Sequence, residues 1–177
     1  MKVICWNVRG AKKAQVLEEV KFLKRIHKPD IMFLIETLTN DSNSYNIIRR
    51  MGFRQFDFVP PSNHSGGLWA LWNNDRVHAA VLSKEPRAIH LLIHDPSCNQ
   101  NCIVSGVYGP AKEMDKDVFW DHLVNLNTVF DLPWVLIGDF NELESANDKH
   151  GGRQVSLKRI GRLPQFLRAS QCESIPV

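Results

Sequence analysis

Trp134-Val135-Leu136-Ile137-Gly138-Asp139-Phe140-Asn141 is the stretch that decides how this chain reads. Its continuous apolar run is too short for a buried helix and has the form of a strand covered on both faces. The strand gives way at once to a carboxylate, an aromatic ring and a carboxamide. The same pattern occurs twice upstream: Val3–Trp6 runs into Asn7, and Ile31–Ile35 runs into Glu36. Ligands of α/β proteins collect at the carboxyl ends of strands. If the three strands are parallel neighbours, Asn7, Glu36, Asp139 and Asn141 converge on one rim.

Outward from these strands, Val16, Val20, Leu23 and Ile26 recur at helical spacing, and His27-Lys28-Pro29 closes that helix. A second short helix is predicted over 42–51, opened by Ser42 as cap and stopped by Gly52. Five strands follow: Phe53–Val59, Gly67–Trp72, Val77–Leu82, Ala88–His94 and Ile103–Tyr108. Turn clusters such as Pro60-Pro61-Ser62-Asn63 separate them, as in antiparallel hairpins. Asp115–Phe130 reads as an amphipathic helix through Val118, Phe119, His122, Leu123, Leu126 and Val129. A last helix is expected from Pro164 to about Cys172. This succession predicts an α/β sandwich of mixed sheets covered by helices. The 177 residues match one domain. Ser174-Ile175-Pro176-Val177 reads as the opening of a further strand, so the chain is expected to end inside that domain.

Hydrophobic residues at 44% and charged residues at 23% exclude a disordered tail or a disulfide-stapled mini-protein. The apolar runs fall far short of the ~20 residues that cross a bilayer. MKVICWNVRG has Trp6 and Asn7 where a signal peptide would carry its apolar core. No membrane association and an intracellular location are therefore expected, with Cys5, Cys98, Cys102 and Cys172 as free thiols. The net charge is +3, yet six basic residues (Lys149, Arg153, Lys158, Arg159, Arg162, Arg168) lie between 149 and 168 without an acidic one. Without those six, 16 Lys+Arg face 19 Asp+Glu, about −3 for the rest. Such a segment could contact phosphates, although a solvated helix face accounts for it more simply. His94, Cys98 and Cys102 do not have structural-zinc spacing.

The strand-end residues have a coherent chemistry. Glu36 could hold Mg²⁺, which takes one or two carboxylates and keeps several waters. Asp139 could orient or deprotonate a water, while Asn7 and Asn141 bind phosphate oxygens or position the carboxylates. A metal and a base are the minimum equipment for phosphodiester hydrolysis. Each residue alone reads more simply as a turn or strand end. The combination points to function.

The combination extends along the chain. Trp6-Asn7-Val8-Arg9-Gly10, Leu34-Ile35-Glu36-Thr37, Ser65-Gly66-Gly67-Leu68, Val107-Tyr108-Gly109, Gly138-Asp139-Phe140-Asn141-Glu142 and Gly151-Gly152-Arg153 follow one another in order. In that order and spacing the sequence resembles the endonuclease/exonuclease/phosphatase superfamily, most closely the apurinic-endonuclease-like domain of plant LINE-type (non-LTR) retrotransposons. The resemblance implies a four-layer α/β sandwich of two mixed sheets flanked by helices, the second half-sheet incomplete here. It implies an Mg²⁺-dependent DNA endonuclease, with Mn²⁺ an admissible substitute, that leaves a 3′-hydroxyl and works in the nucleus. Residue by residue, Glu36 is similar to the metal ligand and Asn7 to its neighbour in the metal shell. Tyr108 is similar to the tyrosine on the scissile phosphate, and Asn141 to the carboxamide supporting that phosphate. Asp139 is similar to the residue that activates water or protonates the leaving group. Two departures stand out. The family's closing Thr-Trp strand, later Asp and Ser-Asp-His are absent, and His64 stands where close relatives often carry Arg. A catalytically silent, nucleic-acid-binding remnant and a small-molecule phosphatase are the alternatives, and the oligomeric state is left open.

Overall fold

Ile31–Ile35 is buried along its whole length, and the two-residue period of a strand explains how. Ile31, Phe33 and Ile35 pack with Ile89, Leu91, Ile93 and Val104, whereas Met32 and Leu34 pack with Val20, Ile48 and Met51. One side meets a second sheet and the other meets helices, so both parities must be apolar. Each such side chain contributes ~1.5–3 kcal/mol.

The computed structural model describes residues 1–62, 65–142 and 158–175. In chain order the elements are β1 Val3–Asn7, α1 Ala14–His27, β2 Ile31–Ile35, α2 Asp41–Met51, β3 Gln55–Ser62, β4 Ser65–Trp72, β5 His78–Glu85, β6 Ala88–Asp95, β7 Gln100–Tyr108, α3 Glu113–Val129, β8 Trp134–Asp139 and α4 Lys158–Ser170. The strands form two mixed sheets of four, ordered β1-β2-β4-β3 and β5-β6-β7-β8. Each has one parallel pair, β1 with β2 and β7 with β8. The chain divides into two compact units. Met1–Tyr108 with Leu132–Asp139 contains both sheets, α1 and α2, and Gly109–Asp131 with Phe140–Val177 contains α3 and α4. In the second unit Trp120 stacks on Phe140 at 5.8 Å and packs against Phe166 at 5.3 Å.

Several expectations need correction. Pro60 and Pro61 lie within β3, not in a turn. An edge strand tolerates residues that cannot donate to a ladder, and β3 is an edge. Helix α2 begins at Asp41 with Asn40 in the cap position. The last helix starts at Lys158 and holds Pro164 inside it. An interior proline costs ~3 kcal/mol, and burial of Phe166 against Trp120 offsets part of that. Helix α3 buries Lys116, Phe119, Trp120 and Leu123, while Val118 and Val129 are exposed. Residues 172–175 take no strand. Trp134–Ile137, expected to be covered on both faces, forms the edge strand β8 and leaves Val135 exposed, whereas Ile31–Ile35 is covered as expected. The four cysteines are free thiols. Among the described residues no helix is long and apolar enough to cross a membrane.

Candidate active site

Strand parity aims the first two site residues. On β1, Val3 and Cys5 pack into the core between the sheets, and Ile4 and Trp6 pack on the helix side. Asn7, two residues beyond Cys5, therefore ends β1 on the inter-sheet side. On β8, Ile137 packs into the same core, and Asp139 follows it by two. The field of Asp139 reaches β1: the Cys5 thiol is pushed up to about 12, first by burial and then by the Asp139 carboxylate.

Glu36 departs from strand parity because the chain turns there. Its φ is 55°, a left-handed conformation uncommon outside glycine that costs of order 1–3 kcal/mol. Backbone bonds hold the turn: Gly10 N–H donates to the Glu36 carbonyl at 2.8 Å, and Thr37 N–H donates to the Gly67 carbonyl at 3.2 Å. Gly67 has φ 86°, and a Cβ there would lie 2.3 Å from Thr37 Oγ1. The Ser65-Gly66-Gly67 motif is thus the seat on which the Glu36 turn rests. The turn delivers the Glu36 carboxylate to the other sheet, where Oε1 accepts a hydrogen bond from the Tyr108 hydroxyl at 2.9 Å. Tyr108 ends β7 and is the register partner of Asp139 on β8.

Asn7, Glu36, Tyr108 and Asp139 are therefore brought together within one unit. The route differs from the one expected. Strands β1 and β2 are parallel neighbours, but β8 lies in the second sheet beside β7. Stacking of two sheets makes the site, and a single rim does not. Asn141 belongs to the other unit. There it has φ 51°, and its side-chain amide donates to the Gly109 carbonyl at 2.7 Å.

The donors are hard oxygens. Among the described residues no group of three or more His, Cys, Asp or Glu is placed to hold a metal, so a cage made wholly of protein ligands is absent there. One carboxylate, Glu36, with the Asn7 carboxamide oxygen fits a small divalent cation that retains several waters. Asn7 Oδ1 also accepts the Arg9 N–H at 3.3 Å, which fixes the carboxamide.

The basic segment reads differently in three dimensions. His64, Lys149, His150 and Gly151-Gly152-Arg153 lie outside the described residues, as do the side chains of Lys158 and Arg159. Arg162 turns inward: Nε contacts Asp117 at 2.6 Å, and Nη1 contacts Glu113 at 2.7 Å and Glu142 at 3.4 Å. With three carboxylates around it, this guanidinium is not a phosphate contact. Arg87, which sequence reasoning missed, gives its carbonyl to the Tyr108 N–H and places its guanidinium 5.9 Å from the Tyr108 ring centre. No local pattern in a hairpin turn could have announced it.

The sequence profile of the Endonuclease/Exonuclease/phosphatase family matches residues 4–160. The chain belongs to this family. Divalent metal ions are in general use among enzymes of the endonuclease/exonuclease/phosphatase family. Among solved structures, the chain is similar to the AP endonuclease LMAP from Leishmania major (17% identity, TM-score 0.71, 96% of this chain and 66% of that one). It is similar to the 3′ phosphatase NExo from Neisseria, bound to a product DNA hairpin (18%, 0.64, 96% and 71%). It is also similar to the endonuclease domain of TRAS1, a telomere-specific non-LTR retrotransposon (11%, 0.67, 96% and 71%). At such identities the likeness is one of fold. The chain spans 66% of the LMAP structure. No curated protein sequence matches it.

Proposed function

We propose that this chain is a retrotransposon-derived, Mg²⁺-dependent DNA endonuclease domain of the LINE type, working in the nucleus and leaving a 3′-hydroxyl. The observation that carries the reading is the Tyr108–Glu36 hydrogen bond, with Asp139 in register beside Tyr108. In this reading Glu36 is the metal-binding carboxylate, Tyr108 the phosphate-binding hydroxyl and Asp139 the proton-transferring carboxylate. Glu36 and Asn7 would hold the cation, which when bound supplies positive charge against the phosphate. Asp139 either takes a proton from the water that attacks phosphorus or gives one to the departing 3′-oxygen. Tyr108 has one hydroxyl proton, which Glu36 accepts, and would contact the phosphate by turning that proton from Glu36. Asn141 is the carboxamide proposed to support the phosphate. Membership of the Endonuclease/Exonuclease/phosphatase family, and the product DNA hairpin bound to the similar fold of NExo, favour a nucleic-acid substrate.

Nicking of supercoiled plasmid with and without Mg²⁺ tests the reading. Asp139→Asn removes a proton-transfer group and is expected to slow nicking by ~10²–10⁴-fold. DNA affinity should change little. Nicking by Asp139→Asn at the wild-type rate would overturn the chemistry.

A further inference from the structure

Lys116 is 1% exposed, a rare fate for a lysine. It sits in the second unit near the start of α3. Its Nζ donates to the Asn141 carbonyl at 2.9 Å and pairs with Glu142 Oε1 at 3.0 Å. Glu113 Oε2 stands at 3.7 Å. The Glu142 side chain is itself fully buried, and among the described residues its Oε2 has no hydrogen-bond partner. Replacing a buried ion pair by apolar residues of similar size is often neutral or stabilising. Stability alone is therefore a poor reason for this arrangement.

Direction is a better one. An ammonium has three donors and no acceptor, and here they are spent on the backbone of Asn141 and the side chain of the next residue. The Asn141 carboxamide is tied separately to the Gly109 carbonyl. Glycine is required at 109, since a Cβ would lie 2.1 Å from the Phe140 carbonyl oxygen. Trp120 stacks on Phe140 with planes 13° apart. The turn is held at its backbone, at its side chain and at both flanking residues. We propose that Lys116 is a positioning residue that fixes the Phe140–Glu142 turn, so that the Asn141 carboxamide is presented in one orientation. The inference rests on the role proposed for Asn141 in phosphodiester cleavage. Lys116 touches no substrate in this scheme.

The test uses the full chain with Lys116→Met, Lys116→Arg and the double variant Lys116→Met/Glu142→Gln. The double variant keeps the experiment decisive if Glu142, left with Arg162 at 3.4 Å in place of Lys116, prevents folding. Misplacement of a positioned group costs up to about 100-fold. Lys116→Met and the double variant are expected to lower kcat for plasmid nicking by about 10- to 100-fold with little change in KM. Lys116→Arg should recover part of the loss, and amide exchange at Asn141 and Glu142 should quicken wherever Lys116 is Met. A merely structural lysine would lower Tm and the active fraction while leaving kcat per active molecule unchanged. Folded variants with wild-type kcat would overturn the positioning role. If the wild-type chain does not nick DNA, the endonuclease reading fails on its own. Amide exchange then decides the positioning: faster exchange at Asn141 supports it, and unchanged exchange overturns it.

Discussion

Tyr108→Phe isolates the contact that joins the two sheets at the site. The ring stays in the inter-sheet core, where Tyr108 is 9% exposed, so only the hydroxyl is lost. That hydroxyl donates at 2.9 Å to the Glu36 carboxylate. Hydrogen bonds to charged groups are worth ~1.5–3 kcal/mol. Glu36 is half-buried, and partial solvation places the loss near ~1.5 kcal/mol, or about tenfold in rate. The carboxylate, freed to rotate, should also need more Mg²⁺ for half-maximal nicking. Plasmid nicking across an Mg²⁺ titration reads both effects, and a thermal melt checks the fold. We expect about a tenfold slower rate, a rightward metal curve and a Tm within a few degrees of wild type. A variant that nicks at the wild-type rate with an unshifted metal curve would refute the claim that Tyr108 orients Glu36. Rate and Tm falling together would refute it as well, by making the contact purely structural.

Arg162→Met tests whether the basic segment binds DNA through this residue. Its partners Asp117 and Glu113 are largely exposed and Glu142 is buried, so we expect a loss of ~1–3 kcal/mol in denaturant melts and unchanged salt dependence of DNA binding; a shallower salt slope would count against the inward reading. Cys5 gives a pH prediction. Its thiol is raised from 9.0 to about 12 in the fold, so the unfolded chain gives up its proton first as pH rises. The stabilisation is complete below pH 9.0 and is lost towards about 12. Cys5→Ala should flatten that decline in stability. Asp139→Asn should make the Cys5 thiol easier to alkylate at alkaline pH, and an unchanged alkylation profile would mean that the Asp139 charge does not reach β1.

The sequence by itself determined much of this protein. Ile31–Ile35 could be read as a covered strand because burial on both faces leaves no place for a polar residue. Trp134–Ile137, read the same way, is a strand, but one that leaves Val135 exposed. Asn7, Glu36 and Asp139 stood out because each breaks such a run at its end. The Gly-Asp-Phe-Asn block, taken with Trp6-Asn7 and Glu36-Thr37, carried the family. These are local signals, fixed by the period of a strand and the chemistry of its last residue.

Tertiary structure decided what local signals cannot hold. Which sheet receives β8 depends on pairing with β7, and β7 lies a whole helix away along the chain. The Glu36–Tyr108 bond links residues 72 apart, and no periodicity encodes a contact of that range. Arg162 looked like one of a run of basic surface residues, yet carboxylates from α3 and from Glu142 claim it. Nothing in the sequence sets Lys116 apart from other helix lysines; its burial against the Asn141 carbonyl and Glu142 is a product of packing. Charge is legible in a sequence, but its partner is chosen by packing, because the free energy of an ion depends on what surrounds it in space.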